Sequence, residues 1–488
     1  MDGTLTNGTL ATGTLVNWTI AQPEIVLAVI GMAVLMFGVF SRKDATGPAT
    51  MLVLGGFLLT ALLVLTTDGG LGYNGQFVVD AFSSFNKLLI LAGAFLALVL
   101  SLDFNRLQKI GRFEFPVLML FSVVGQLVMV SASNMMTLYL GLELQSLALY
   151  VLAAFARDDL RSSEAGLKYF VLSGLASGLL LYGISLIYGF SGTMDFAQLR
   201  QALADPAHVS AGVIVGVVFV FTGLAFKVSA VPFHMWTPDV YEGAPTPVAT
   251  FFATAPKVAA MALLLRVMGG TFGSLVVQWQ SLIILVSIAS MVLGALAAIG
   301  QTNIKRLMAY SSIGHMGFAL IGLAVGTAAG VRGTLVYMVI YVFMTAGAFA
   351  CITAMRRDGR AVEKISDLSG LAATDPGLAM ALAIFMFSLA GIPVLSGFFA
   401  KLYIFLAAVE GGLWALSIIG VLTSVVGAYY YIRVVKVMYF DAPVAPFDPR
   451  PASLTFVAGG SALFTTFFFL FPAPFVGAAQ AAAKALFG

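Results

Sequence analysis

Polar and apolar residues do not alternate along this chain. They come in blocks, and short breaks rich in charge, glycine or proline separate long apolar runs. The pattern predicts helices over 24–40, 50–66, 78–101, 116–131, 134–156, 165–190, 210–231, 246–268, 277–299, 307–326, 333–354, 378–409, 412–436 and 453–476. Such runs are too long and continuous for membrane-barrel strands, which alternate over about 10 residues. A helix crosses a bilayer with about 20 apolar residues. The expected fold is therefore an all-α polytopic membrane protein with about fourteen transmembrane helices.

Composition strengthens this reading. Of 488 residues, 60% are hydrophobic and 10% charged, against roughly 25% charged in a soluble domain. So few charges cannot cover so much apolar surface in water, which excludes a soluble enzyme. Charge also sets the expected orientation. With fourteen crossings, sixteen Lys and Arg fall on one face and four (Arg200, Arg266, Arg332 and Lys484) on the other. The positive-inside rule makes the first face cytoplasmic and puts both termini outside. Merging the runs around 131–134 would collapse this asymmetry, so they are read as two helices.

Five cations remain, all inside predicted spans: Lys87, Lys168, Lys227, Lys257 and Lys401. A lysine at the centre of a membrane helix costs roughly 2.5–3.5 kcal/mol on insertion scales, so each needs a reason. Lys87 lies near a helix start and is expected to snorkel to the interface. Lys168 follows Glu164 by four residues, the spacing of an ordinary surface pair. Lys257 and Lys401 lie deep in their spans, and Lys227, near its helix end, is followed by Pro232 and His234; all three are candidates for an interior role. Glu143 sits at the middle of its span, where only a nearby cation would keep it ionised. The bland alternative is a structural ion pair that locks helices. Asp80, near a helix start, is expected at the interface.

Helix breakers stand beside these charges. Pro232 has no N–H and frees the carbonyl of Val228, one residue from Lys227. Pro256 directly precedes Lys257, and Gly391 and Pro393 precede Lys401. Prolines are common in membrane helices, but broken helices with ionisable residues at mid-membrane are typical of ion translocators. His315 falls inside a span, where it could pass protons near neutral pH or serve as a hydrogen-bonded structural residue.

The rest of the inventory is mainly exclusive. One cysteine (Cys351) and three histidines (His208, His234, His315) cannot build an iron–sulfur cluster or two bis-histidine haems, so no cofactor or metal is expected in this chain. A net charge of +3 gives no case for nucleic acid. The start, MDGTLTNGTL, lacks the basic region of a signal peptide. Gly70–Gly75 matches G-x-G-x-x-G, but in a short loop without a strand–helix unit it predicts no dinucleotide site. Sequons at Asn7 and Asn17 matter only in a glycosylating host.

Two segments carry a family resemblance. The run from Lys227 to Asp239 (KVSAVPFHMWTPD), with VYEGAPTPVATFFATAPK after it, resembles the antiporter-like membrane subunits of respiratory complex I. Tyr310–Gly317 (YSSIGHMG) resembles a second signature of that family. WTPDVYEGAP most resembles the N-type branch, because the M-type usually has Glu where Lys401 stands and the L-type is much longer. The resemblance covers essentially the whole chain. It implies two inverted five-helix repeats, roughly 116–268 and 277–436, each with a broken helix, 210–231 and 378–409. An N-terminal unit, 1–115, and a C-terminal one, 437–488, flank them. It also implies that Glu143 pairs with Lys227, that Lys257 is the central lysine and that Lys401 serves the second half. Protons would pass along Glu143, Lys227, Lys257 and Lys401, with His315 and His234 as further candidates.

The implied setting is the bacterial inner membrane. The implied partners are M-type, K-type and other membrane subunits, the lipid bilayer and the quinone pool, with NADH, FMN, iron–sulfur clusters and quinone held by partner chains. An Mrp-type cation/proton antiporter subunit is the alternative, and a purely structural anchor a third reading.

Overall fold

The computed structural model describes residues 18–487. Asn7, Asn17 and the outward placement of the first residues lie outside that range. The described chain is almost wholly helical, with two small hairpins. The helices are α1 (Gln22–Phe40), α2 (Thr46–Thr66), α3 (Ala81–Leu107), α4 (Glu114–Val130), α5 (Met135–Ala153), α6 (Leu160–Ser191), α7 (Phe196–Ala202), α8 (Ala211–Val228), α9 (Trp236–Gly243), α10 (Thr246–Ala253) and α11 (Ala255–Leu264). There follow α12 (Val276–Ile299), α13 (Ile304–Val325), α14 (Ala328–Thr353), the single turn α15 (Leu371–Thr374), α16 (Pro376–Ala390), α17 (Ser396–Glu410), α18 (Trp414–Phe440), α19 (Ala452–Phe467) and α20 (Ala473–Phe487).

Twelve helical segments among the described residues are long and apolar enough to cross a membrane. α4 and α16 are apolar but shorter. The protein is a multi-pass membrane protein. Polar side chains cap many helix starts, as the orphan N–H groups of a first turn require. Asp80, Asn134, Asp159, Ser210, Asn303, Thr327 and Asp375 all do so. The break at 131–134 is real: α4 ends at Val130, and Asn134 caps α5.

Several boundaries depart from expectation. The predicted 210–231 helix stops at Val228, and its second arm is α9, which hydropathy alone left between spans. The 246–268 helix breaks at Thr254 (φ −113°, ψ −93°), two residues before Pro256. Pro256 lies in the first turn of α11, where a missing N–H costs nothing, so it starts a helix rather than breaking one. α11 then runs into a π-helical turn, Leu265–Thr271. The 453–476 run is interrupted at Phe471–Pro472, and α20 forms a separate helix after it. Gly70–Gly72 pairs with Phe77–Val79 as an antiparallel hairpin, which accounts for the Gly70–Gly75 motif structurally.

Packing places α10, α11, α13 and α14 at the centre, with nearly every residue buried. Large apolar side chains stay exposed on the peripheral helices, for example Met51, Leu58, Leu62 and Leu65 on α2. In water that surface would be a liability; against lipid it is the normal outside. Two helix pairs close over glycines. A Cβ on Gly125 of α4 would stand 2.4 Å from the backbone nitrogen of Gln145 on α5. One on Gly294 of α12 would stand 2.7 Å from that of Gly314 on α13.

Candidate functional site: buried lysines at broken helices

The first break begins where α8 loses its hydrogen-bond ladder. Pro232 cannot donate to Val228, so the helix ends there, and Ser229 adopts a left-handed turn (φ 63°). The freed Val228 carbonyl does not stay empty. The Nζ of Lys257 on α11 donates to it at 2.8 Å and also to Ser229 Oγ. The Trp236 ring lies 5.4 Å from the same ammonium. Lys257 is 1% exposed, and among the described residues no carboxylate forms an ion pair with it. A helix C-terminus carries partial negative charge on its carbonyls, so the break itself acts as the counter-charge.

Lys227 lies one residue before that carbonyl and is also buried. Its Nζ donates to Ser146 Oγ on α5 and Ser173 Oγ on α6, both at 2.7 Å. Tyr150 Oη donates to Ser173 as well, at 2.6 Å. Glu143, one turn before Ser146, is half-buried and accepts a hydrogen bond from Ser177 on α6. The expected direct Glu143–Lys227 ion pair is therefore not formed. Ser173 and Ser177, one turn apart on α6, each hold one partner.

The second break has the same chemistry with a different supply. α16 ends at Ala390 and is capped by Gly391 (φ 90°), Pro393 lies in the five-residue break, and α17 begins at Ser396. Lys401, on α17, folds back onto the end of α16. Its Nζ donates to the carbonyls of Ala390 (2.9 Å) and Leu389 (3.2 Å) and to Ser424 Oγ (2.7 Å). The Phe318 ring lies 5.0 Å from it. A cavity of about 20 Å³ separates Lys401 from His315 on α13, room for about one water, which needs roughly 10–15 Å³. His315 is buried between Tyr337 Oη (2.5 Å, to Nδ1) and Tyr431 Oη (3.1 Å, to Nε2). Tyr431 Oη in turn bonds Ser311 Oγ at 2.5 Å.

The remaining expected residues fall elsewhere. His234 lies in the first break, its Nδ1 buried without a hydrogen-bond partner, and no bond joins it to a lysine. Lys87 does not snorkel: it is 1% exposed and forms a 2.7 Å ion pair with Glu24 of α1. Too deep to reach water, its ammonium finds a carboxylate instead. Lys168 does pair with Glu164 at the helix surface, and also with Asp239 of α9, both at 2.7 Å. Arg266, expected on the outer face, is 8% exposed and holds Asp80 in a two-pronged pair at 2.9 and 3.0 Å. Burial alone would raise the Asp80 carboxyl. The Arg266 charge and the bonds from Arg266 and Ser83 outweigh it and hold Asp80 below its ordinary value.

Comparison with known proteins now bears on this geometry. Residues 132–427 match the family described as NADH:quinone oxidoreductase/Mrp antiporter, TM. The chain belongs to that family. A relative from Granulibacter bethesdensis, named NADH-quinone oxidoreductase subunit N, is 66% identical over 95% of this chain and 98% of its own length. A chain of respiratory complex I from Thermus thermophilus superposes with a TM-score of 0.81 at 32% identity, covering 94% of this chain and 99% of that one. A chain of the Mrp complex from Dietzia sp. DQ12-45-1b shares the fold, with a TM-score of 0.85 at 22% identity over 96% and 98% of the two chains.

Against this family fold, sequence reasoning found the lysines and missed their acceptors. Ser146, Ser173, Ser229 and Ser424 hold the ammonium groups, and Tyr337 and Tyr431 hold His315. A faint signal was present. Ser146 is three residues from Glu143, and Ser173 and Ser177 are four apart in one helix, so each set shares a face.

Proposed function

We infer that this chain has the role named for its relatives: a membrane subunit of an NADH–quinone oxidoreductase, embedded in a multisubunit membrane complex, that translocates protons. One observation carries the reading. Three lysines are buried in the bundle, yet each is bonded only to hydroxyls and to carbonyls at helix breaks. A cation without a fixed counter-ion can lose its proton without stranding a carboxylate, which suits a carrier.

The proposed sequence begins at Glu143 and Lys227. When Glu143 swings from Ser177 toward Lys227, the lysine is held charged. When it swings back, Lys227 is left with serines alone and gives its proton toward Lys257 through water. Lys257 then passes charge to the second half, where His315 and Lys401 face each other across the small cavity. Moving one charge against 100 mV costs about 2.3 kcal/mol, and quinone reduction in partner chains supplies it. NADH, FMN, iron–sulfur clusters and quinone belong to those partners, among them M-type and K-type subunits. His234, whose Nδ1 is buried without a hydrogen-bond partner beside the first break, serves there as a secondary acceptor.

The unit boundaries follow the same logic: 1–115, 116–268, 277–436 and 437–488, with fourteen crossings. The two central units are inverted repeats. In support, each opens with a glycine-packed helix pair (α4–α5, α12–α13) and contains a broken helix with a buried lysine. The basic end faces the cytoplasm of a bacterial inner membrane, with both termini on the opposite side.

The test is proton pumping and NADH–quinone turnover measured together in membranes carrying Lys257→Ala, with assembly of the complex checked. Pumping falling at least about tenfold in assembled complex is expected. Pumping at the wild-type level would remove Lys257 as an obligatory carrier. Sodium/proton exchange without NADH-linked activity in the unaltered protein would instead favour the antiporter role.

A further inference from the structure

A second cavity, far larger than the one beside Lys401, lies away from Lys227, Lys257 and Lys401. It lies at the basic end of the bundle, has a volume of about 1060 Å³, and is walled by the end of α3, the α5–α6 turn, the α9–α10 junction, the start of α13 and the hairpin near Arg360. Its size is that of a ligand pocket.

Its charge is unbalanced in a specific way. Seven cations line it, and among the described residues only Lys305 is ion-paired, with Glu363 at 2.9 Å. Lys109, Arg112, Arg157, Arg161, Arg360 and Lys364 are all exposed, and among the described residues none has a carboxylate within ion-pair distance. Five acids share the wall, but three are already ion-paired. Glu242 pairs with Arg306 at 3.0 Å, Glu363 with Lys305, and Asp367 with Arg357 at 3.2 Å, while Asp159 caps the first turn of α6. Burial alone would raise Glu363. The Lys305 charge and the bonds from Lys305 and Asn303 outweigh it and hold Glu363 below its ordinary value, with Arg161 adding to the same field. Asp158 and Asp159, whose charge a helix-cap bond does not cancel, are left to oppose six unpaired cations.

Six like charges around one basin repel each other unless an anion joins them. Four are arginines, whose planar fork fits two oxygens of a phosphate at once. Phe104, Ile110 and Phe155 give the same wall an apolar strip. Basic pockets between helices at a membrane surface are suited to anionic headgroups.

We propose that this basin binds a phosphate-bearing anion. The two sources of that chemistry are the headgroup of an anionic phospholipid and a soluble phosphate ester.

The experiment uses the assembled complex, purified with this chain unaltered, with Lys109→Gln/Arg157→Gln/Arg161→Gln, or with the charge-matched control Arg42→Gln/Lys43→Gln/Arg106→Gln. All six positions are exposed, so the fold is retained. One arm quantifies phosphatidylglycerol held by the complex in phosphatidylcholine nanodiscs. The other follows binding of inorganic pyrophosphate by calorimetry. About tenfold weaker phosphatidylglycerol retention in the first variant only, lessened by added salt, identifies a lipid site. Loss of pyrophosphate binding without lipid preference identifies a soluble ester. Binding of neither by the unaltered complex overturns the proposal. So does release of a neighbouring subunit from the first variant with both kinds of anion binding absent, which would mean that an acidic protein segment fills the basin.

Discussion

Two regions of this molecule bury lysine in opposite ways. In the N-terminal helices, Lys87 meets Glu24 directly at 2.7 Å, both nearly inaccessible. In the central bundle, among the described residues, Lys227, Lys257 and Lys401 meet no carboxylate, only hydroxyls and helix-end carbonyls. The first arrangement is a lock, because losing a proton from Lys87 would leave a buried anion alone. The second lets charge come and go, because dipoles tolerate either state. Within the bundle the supply also differs. Lys257 reaches the first break from another helix, whereas Lys401 sits on the break of its own helix pair.

The sharpest way to test the contrast is to remove one member of the lock. Lys87→Ala leaves Glu24 uncompensated and is expected to cost about 3–5 kcal/mol. Thermal unfolding of the purified complex should show the loss, while whatever complex assembles should still pump. Lys87→Met with Glu24→Gln should recover most of that stability. A pumping defect in a stable double variant would break the distinction between lock and carrier.

Next comes the serine seat of Lys227. Ser173→Ala removes a charged hydrogen bond worth about 1.5–3 kcal/mol and frees Lys227 to move toward Glu143. Pumping should slow while unfolding shifts little, since the ammonium has a new partner available. Unchanged pumping would make Ser173 mere packing.

In the second half, Gly391→Ala tests whether the break itself holds the charge. Position 391 has φ 90°, and a Cβ there would stand 3.0 Å from Lys401 Cδ and 3.1 Å from Nζ. The left-handed backbone alone costs about 1–2 kcal/mol. Reduced pumping at normal NADH–quinone turnover is expected, from a displaced Lys401. A variant with normal pumping would show that the seat tolerates displacement.

The smallest effect concerns Glu363, outside the spans. Its carboxyl titrates below the ordinary value, so its pair with Lys305 stabilises the fold above the unfolded pKa, about 4.3. That contribution is lost as pH falls through the folded value. Glu363→Gln should abolish this part of the acid dependence of unfolding, with a stability loss below that of Lys87→Ala because Lys305 keeps the carbonyls of Glu242 and Ala244. An unchanged acid limb would remove the pair from the account.

How much was legible beforehand divides along physical lines. The apolar runs were legible because a bilayer imposes length and composition on any helix that crosses it. The seat of Lys257 was half legible: Pro232 implied a free carbonyl at Val228, but nothing in the order of residues said which side chain would take it. Lys87 was misread because proximity to a helix start does not say whether another helix covers it. The second arm of the first broken helix was missed because α9, with Pro238, Asp239 and Glu242, has no hydropathy signal. Its carboxylates are paired with Lys168 and Arg306, both on other helices.

By itself, the sequence determined the class of fold, the asymmetry of charge and the presence of lysines too deep to be idle. Those follow from local costs: an apolar run must leave water, and a buried ammonium must be compensated. Only the tertiary structure decided what compensates each one, a carboxylate for Lys87, serines for Lys227 and broken helix ends for Lys257 and Lys401. That choice depends on which helix faces which, set by close packing across residues tens to hundreds of positions apart.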